Sequence, residues 1–155
     1  MNDKQDSPGV KVFPPGIYAA ALIVGVVISR RLPAVNLPRR LETILGLTLV
    51  AAWLVLMLAA IRVMRRANAS IRPDRPSRSL VVAGPFRFTR NPLYLGLVFV
   101  YCGLAILLDA LWALLLLPVV IVIMRRWVID REEAYLERAF GVEYRDYKAR
   151  VRRWI

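Results

Sequence analysis

Residues 44–63 read ILGLTLVAAWLVLMLAAIRV. No charge appears between Ile44 and Ile61, and Arg62, Arg65 and Arg66 then close the run. About 20 helical residues, rising about 1.5 Å each, cover the roughly 30 Å hydrocarbon core of a bilayer. An apolar run of this length with a basic stop predicts a membrane-spanning helix. It sets the fold class: an all-α integral membrane protein.

The same pattern recurs on both sides. Upstream, an apolar block runs from about Ile17 to Ile28, with Pro14 and Pro15 before it and Arg30 and Arg31 after it. It is short for a span, which predicts a tilted or partly interfacial helix. Downstream, a third block runs from Pro92 to Leu108 and a fourth from Leu111 to Ile123, with Asp109 between them and Arg125 and Arg126 as the stop. Asn91-Pro92 is a helix start, Asn as N-cap and Pro at the first helical position. The expectation is about four transmembrane helices, the last two forming a helical hairpin with Asp109 as a solvated residue near its tip.

The chain has 155 residues, 58% of them hydrophobic, and a formal charge of +12. A basic excess suits nucleic acid or an anionic membrane surface. Here the arginines flank apolar blocks, which selects the membrane and argues against nucleic acid. The chain has no histidine, so the usual general base, a Ser-His-Asp triad and most zinc sites are excluded. Its one cysteine, Cys102, lies in an apolar block and reads as a small buried residue.

One membrane domain, 1–155, accounts for this layout. Residues 1–15 form a polar N-terminus without signal-peptide character, and 16–66 carry the first two apolar helices. A basic loop follows at 67–91, with a turn at Gly84-Pro85, then the hairpin at 92–126 and C-terminal helices at 127–155. Leu32 to Pro38 reads as a loop. Asp130-Arg131-Glu132-Glu133 reads as a helix start, Asp130 as N-cap and Glu133 at the reciprocal position. Ala134, Leu136 and Phe140 give the following segment an amphipathic face that Gly141 ends. Tyr144, Tyr147 and Val151 share a face in the last stretch. No β alternation appears.

Two segments break the pattern of spans and basic loops. Gly84-Pro-Phe-Arg-Phe-Thr-Arg-Asn-Pro-Leu-Tyr-Leu-Gly96, followed by Gly103, feeds the third block. Glu132-Glu-Ala-Tyr-Leu-Glu-Arg-Ala-Phe-Gly-Val-Glu-Tyr-Arg-Asp-Tyr147 gathers carboxylates and tyrosines. The arginine-rich loop before block three and the basic tail belong on one side. The positive-inside rule makes that side cytoplasmic. The expected location is the plasma, or inner, membrane. If block one spans, Arg30, Arg31, Arg39 and Arg40 fall outside, against the same rule.

The pair of segments, covering Gly84 to Arg153, resembles the C-terminal half of the membrane methyltransferases related to isoprenylcysteine carboxyl methyltransferase and phosphatidylethanolamine N-methyltransferase. Members carry Gly-x-(aromatic)-Arg-x-x-Arg-His-Pro-x-Tyr-x-Gly before a helical hairpin, then a Glu-Glu, Leu, Phe-Gly, Tyr, Tyr stretch. The departure is Asn91 where many members have His. The resemblance implies S-adenosylmethionine as methyl donor, with a pocket at the cytoplasmic interface. It also implies a lipid or lipid-modified acceptor that enters from the bilayer, and no metal.

Under that resemblance Arg87 and Arg90 are candidates to hold the cofactor's carboxylate, since guanidinium and carboxylate pair in a fork. The alternative is that both are ordinary positive-inside loop arginines. Asn91, Pro92, Tyr94 and Gly96 are candidate cofactor contacts. Asn91 also reads as an N-cap and Tyr94 as an interfacial aromatic, while Gly96 and Gly103 also suit close helix packing. Glu132 and Glu133 are candidates for ribose hydrogen bonding, for attraction to a cationic centre, or for general base toward an ammonium acceptor. Arg150 is a candidate to orient an anionic acceptor group. Tyr144 and Tyr147 are candidates to face the acceptor. Two other classes compete: an NADPH-dependent sterol-reductase-like membrane enzyme, and a non-catalytic scaffold that binds anionic lipid or a partner protein.

Overall fold

The protein is described by a computed structural model over residues 9, 10, 12–32, 37–72, 77 and 79–154. The expected polar N-terminus up to residue 8, positions 33–36 of the first loop, and positions 73–76 and 78 of the basic loop lie outside the described residues. All regular structure among the described residues is helical. The helices are α1 (Pro14–Ser29), α2 (Arg39–Arg66), α3 (Pro92–Leu107), α4 (Leu111–Met124), α5 (Asp130–Phe140) and α6 (Val142–Arg150), with a 3-10 turn at Gly84–Arg87.

Among the described residues, two helices are long and apolar enough to cross a bilayer: α2, with 28 residues, and the continuous helix Leu111–Phe140, with 30. Helix α2 starts earlier than the apolar run alone suggests. Its first turn is closed by an ion pair between Arg39 Nη1 and Glu42 Oε2 at 3.3 Å. After its last residue, Arg66, the chain reverses at Asn68, whose φ of 52° and whose N–H bond to the Arg65 carbonyl accompany one from Ala69 N–H to the Met64 carbonyl. This is the αL reversal that asparagine tolerates. Helices α1 and α3 have 16 residues each, about 24 Å at helical rise, and are shorter apolar helices.

Helix α4 does not stop at Arg125 and Arg126, as their charge suggested. One π turn, Arg125–Ile129, carries it directly into α5. Asp130 is therefore helical, at φ −63° and ψ −33°, and no side chain caps the start of α5. The expected capping box is corrected for that reason: a helix already running leaves no free N–H groups at Asp130 to cap. The buried positions of α5 are Glu133 and Tyr135, while Ala134 is exposed. Helix α6 buries Tyr144 and Tyr147 but ends at Arg150, so Val151, extended at φ −119° and ψ 128°, does not continue the helical face it was expected to share with them. Gly141, at φ 55° and ψ −119°, occupies a conformation open to glycine and separates α5 from α6.

The chain divides into two compact units: Phe13–Val55 with Tyr94–Val122, and Met1–Val12 with Leu56–Leu93 and Ile123–Ile155. In the first, helix packing rests on small residues. A Cβ built on Gly25 of α1 would collide with the Ala113 Cβ of α4. Gly46 of α2 meets Gly103 of α3 so closely that a Cβ on Gly103 would stand 2.9 Å from the Gly46 carbonyl oxygen. In a bilayer, where apolar burial between helices yields little, such close approach is what holds helices together. The Tyr101 hydroxyl is buried and donates to the Ala113 carbonyl at 2.6 Å, and the Tyr18 ring stands edge-on to Tyr101 at 5.9 Å. Outside this packing Ile44, Leu47, Val55, Leu115 and Val119 are exposed. So broad an apolar surface suits lipid rather than water. Leu108–Ala110 joins α3 to α4 through exposed Asp109, whose φ of 54° ends α3 as Asn68 ends α2.

The Gly25 contact gives a direct test. Gly25→Ala should destabilise the protein by about 1–3 kcal/mol through overpacking. Gly16→Ala, whose Cβ would meet only Phe13 Cδ1 at 3.4 Å, should be neutral or stabilising by up to about 1 kcal/mol. Thermal unfolding of both variants in one detergent checks this order.

Candidate functional site

The second unit contains a cleft lined by the end of α2, the residues around the 3-10 turn, α5 and α6. Its walls include Met64, Ser79, Phe86, Arg90, Asn91, Glu132, Glu133, Tyr135, Tyr144 and Tyr147. It encloses about 660 Å³ not filled by atoms, part of it open solvent.

Charge organises the cleft. The Glu133 side chain is 7% exposed and meets two guanidinium groups. Arg153 Nε donates to Oε1 at 3.1 Å and Arg153 Nη2 to Oε2 at 2.7 Å, a two-point fork. Arg90 Nη1 lies 3.3 Å from Oε1. Arg153 Nη1 also reaches Asp130 Oδ1 at 3.0 Å. Asp130 and Glu133 are three apart on α5, so one helix face offers two carboxylates to one guanidinium. The Glu133 hydrogen bonds raise the Arg153 pKa above the usual arginine value.

The tail that carries Arg153 is tied to the segment before α3. Arg90 N–H donates to the Arg152 carbonyl at 3.0 Å. The Thr89 hydroxyl and the Asn91 side-chain amide both donate to the Arg153 carbonyl, at 3.0 and 3.1 Å. Asn91 N–H in turn donates to Thr89 Oγ1 at 3.2 Å. Asn91 therefore precedes α3 as expected, but its amide nitrogen serves the C-terminal tail. The tyrosines fix the remaining walls. Tyr147 donates to the Phe86 carbonyl at 2.7 Å, and the Tyr135 hydroxyl accepts from Ser77 N–H at 3.1 Å. The Ser79 hydroxyl donates to the Ala67 carbonyl.

Burial raises both hydroxyl pKa values on α6. Tyr147 is pushed up to about 12 by desolvation, with the Arg90 charge opposing the rise. Tyr144 is raised further by desolvation and by the Glu133 charge, again opposed by Arg90. Arg90 itself is nearly enclosed, its side chain 10% exposed, yet its Nε has no hydrogen-bond acceptor.

Of the residues singled out from sequence, Arg90, Asn91, Glu132, Glu133, Tyr144 and Tyr147 come together as walls of this cleft. Pro92 is fully buried at the start of α3. Tyr94 and Gly96 are buried positions of α3 but are not cleft walls. Arg87 is exposed at the 3-10 turn, and Arg150 is exposed with its Nε bonded to the Asp146 carbonyl at 3.2 Å. Sequence reasoning passed over Arg153, Thr89 and Tyr135. The available signal for Arg153 was the Asp130 and Glu133 pair, two carboxylates on one helix face that a nearby arginine would answer.

The fold and cleft define a small helical membrane protein with a charged, tyrosine-walled cavity. Residues 41–143, well over half of the chain, match the phospholipid methyltransferase family, and the chain belongs to that family. An uncharacterized protein of Haemophilus influenzae is 40% identical over 63 residues, which are 41% of this chain and all of that protein. No solved structure matches. The resemblance read from the two motif segments is thus borne out at the level of family, and with the two long apolar helices it makes this a membrane protein.

Two outcomes follow from the geometry. Glu133→Ala leaves Arg90 as an uncompensated, nearly buried charge and should cost about 3–5 kcal/mol of stability, read by chemical unfolding. Because the folded-state pKa of Tyr147 lies above its ordinary value of about 10, its contribution to stability is complete below pH 10 and is lost as pH rises towards 12. Alkaline unfolding should show a smaller loss in Tyr147→Phe than in the wild type, the remainder coming from Tyr144, whose hydroxyl is also raised by burial.

Proposed function

We propose that the protein is an S-adenosylmethionine-dependent methyltransferase acting on a lipid or lipid-modified acceptor at the cytoplasmic membrane interface. The observation that carries the reading is Arg90, a guanidinium enclosed in the cleft with an unanswered Nε donor, beside Glu132 and the Tyr144 and Tyr147 rings. Such a wall fits a ligand with both an oxyanion and a cationic centre. S-adenosylmethionine has a carboxylate, an ammonium, a sulfonium and ribose hydroxyls, so the donor set is compatible with it. Once bound, it supplies a methyl group already activated by the sulfonium.

The chain's task is then alignment, which can provide several kcal/mol of the rate enhancement. Arg90 holds the carboxylate. Asn91 and Pro92, with Tyr94 and Gly96 on the same helix, shape the start of α3 beside it. Glu132 serves the ribose hydroxyls or, for an ammonium acceptor, takes the proton before displacement. A carboxylate acceptor needs no base. Glu133, bound by two arginines, secures the cofactor side. Tyr144 and Tyr147 flank the acceptor, and exposed Arg87 and Arg150 attract anionic headgroups. In this reading all four apolar helices span the inner membrane, α3 and α4 pair as a hairpin, and the motif segments and C-terminus face the cytoplasm, as their arginines favour.

Purified protein incubated with methyl-labelled S-adenosylmethionine and a lipid extract should label a lipid. Arg90→Ala should lower that labelling at least about tenfold, the equivalent of one lost charge-assisted hydrogen bond. Absence of both labelling and S-adenosylmethionine binding contradicts the proposal, and NADPH consumption in its place assigns the reductase class.

A further inference from the structure

We infer that Arg153 is a positioning residue that keeps Arg90 available as the receptor for a ligand oxyanion, by occupying the Glu133 carboxylate that would otherwise capture it. The inference rests on the proposed reading only in naming S-adenosylmethionine as one source of that oxyanion.

A carboxylate offers two oxygens, and a guanidinium prefers to take both in a planar fork. Two guanidinium groups compete for Glu133. Arg153 takes both oxygens, at 3.1 and 2.7 Å, while Arg90 makes one longer approach of 3.3 Å through Nη1. The consequence sits on Arg90: its Nε remains without an acceptor although the side chain is 90% buried. Such a donor is costly while nothing answers it, and Arg90 is a wall of the cleft, so a ligand seated there can supply the acceptor. Without Arg153, the Arg90 fork is free to close on Glu133. The donors then serve the protein, and the oxyanion receptor is gone.

The tail is built to hold Arg153 in this position. Helix α6 stops at Arg150, and the extended Val151 leads the chain back to the segment before α3. There Arg90 N–H, the Thr89 hydroxyl and the Asn91 amide take the Arg152 and Arg153 carbonyls. Asn91 thus acts through Arg153, and Arg153 through Glu133, on the orientation of Arg90. The oxyanion is a carboxylate, as on the methionine moiety of the cofactor, or a phosphate, as on a lipid headgroup. Both match a guanidinium fork.

Equilibrium binding to the full chain in phosphatidylcholine nanodiscs tests this with three probes: S-adenosylhomocysteine, its decarboxylated analogue, and inorganic phosphate. For a carboxylate ligand, Arg153→Ala should weaken S-adenosylhomocysteine at least tenfold and change the decarboxylated analogue less than twofold, and Arg153→Lys should recover part of the loss. For a phosphate ligand, phosphate binding should show the tenfold loss and the partial recovery. If Arg153→Ala does not fold, Asn91→Ala and Thr89→Ala, which loosen the tail by one hydrogen bond each, should show the same selective loss at smaller size. Equal weakening of the carboxylated and decarboxylated probes, or no change in any probe, overturns the inference. If the wild type binds neither adenosyl probe, the methyltransferase reading falls by itself. Arg153-dependent phosphate binding then still supports the inference, and a wild type that binds no oxyanion overturns it.

Discussion

Glu133 is a nearly buried carboxylate that two guanidinium groups, far apart in the sequence, reach at once. A carboxylate in that position is tolerated only when paired, and the pairing fixes everything around it. Arg90 brings the segment before α3 against α5, and Arg153 brings the C-terminal tail. The carbonyls of that tail then satisfy Arg90 N–H, Thr89 and Asn91, so the ion pairs and the backbone bonds depend on each other. The π turn before Asp130 belongs to the same arrangement. It keeps one helix running from Leu111 to Phe140 and lets Asp130 and Glu133 present their carboxylates together. Such turns recur at functional sites because they re-aim side chains without ending a helix.

The apolar unit obeys a different constraint. In lipid there is little to gain from hiding one leucine behind another. Packing is therefore carried by Gly25 against Ala113, Gly46 against Gly103, and one buried hydroxyl, Tyr101 to Ala113. The large aliphatic side chains are left outside. Asp109 and Asn68 end their helices in the same αL geometry, with side chains suited to it.

Helix content was legible because a bilayer demands long apolar runs, and residues 44–63 satisfy that demand without a competing reading. Helix ends were less legible. Asp130-Arg-Glu-Glu has the composition of a helix start, and charge alone does not reveal that a helix is already in progress. The site was half legible. The resemblance of the two motif segments to the methyltransferase family exposed Arg90, Asn91, Glu132, Glu133, Tyr144 and Tyr147, which line one cleft. Arg153 was hidden because Arg150, Arg152 and Arg153 are chemically alike in sequence. Only the end of α6 at Arg150 and the extended Val151 decide which of them turns inward. Asn91 shows the converse: its position was recognised, but the contact it makes depends on a tail some 60 residues away.

The central claim is that this cleft, walled by Arg90, Glu132, Glu133 and the α6 tyrosines, is where S-adenosylmethionine binds. Photochemical cross-linking of methyl-labelled S-adenosylmethionine to the purified protein, followed by peptide mapping, addresses it most directly. The account predicts saturable labelling confined to peptides spanning residues 86–91 or 132–147, displaced by unlabelled S-adenosylhomocysteine. Labelling confined to α1 or the first half of α2, or labelling that does not saturate, contradicts it.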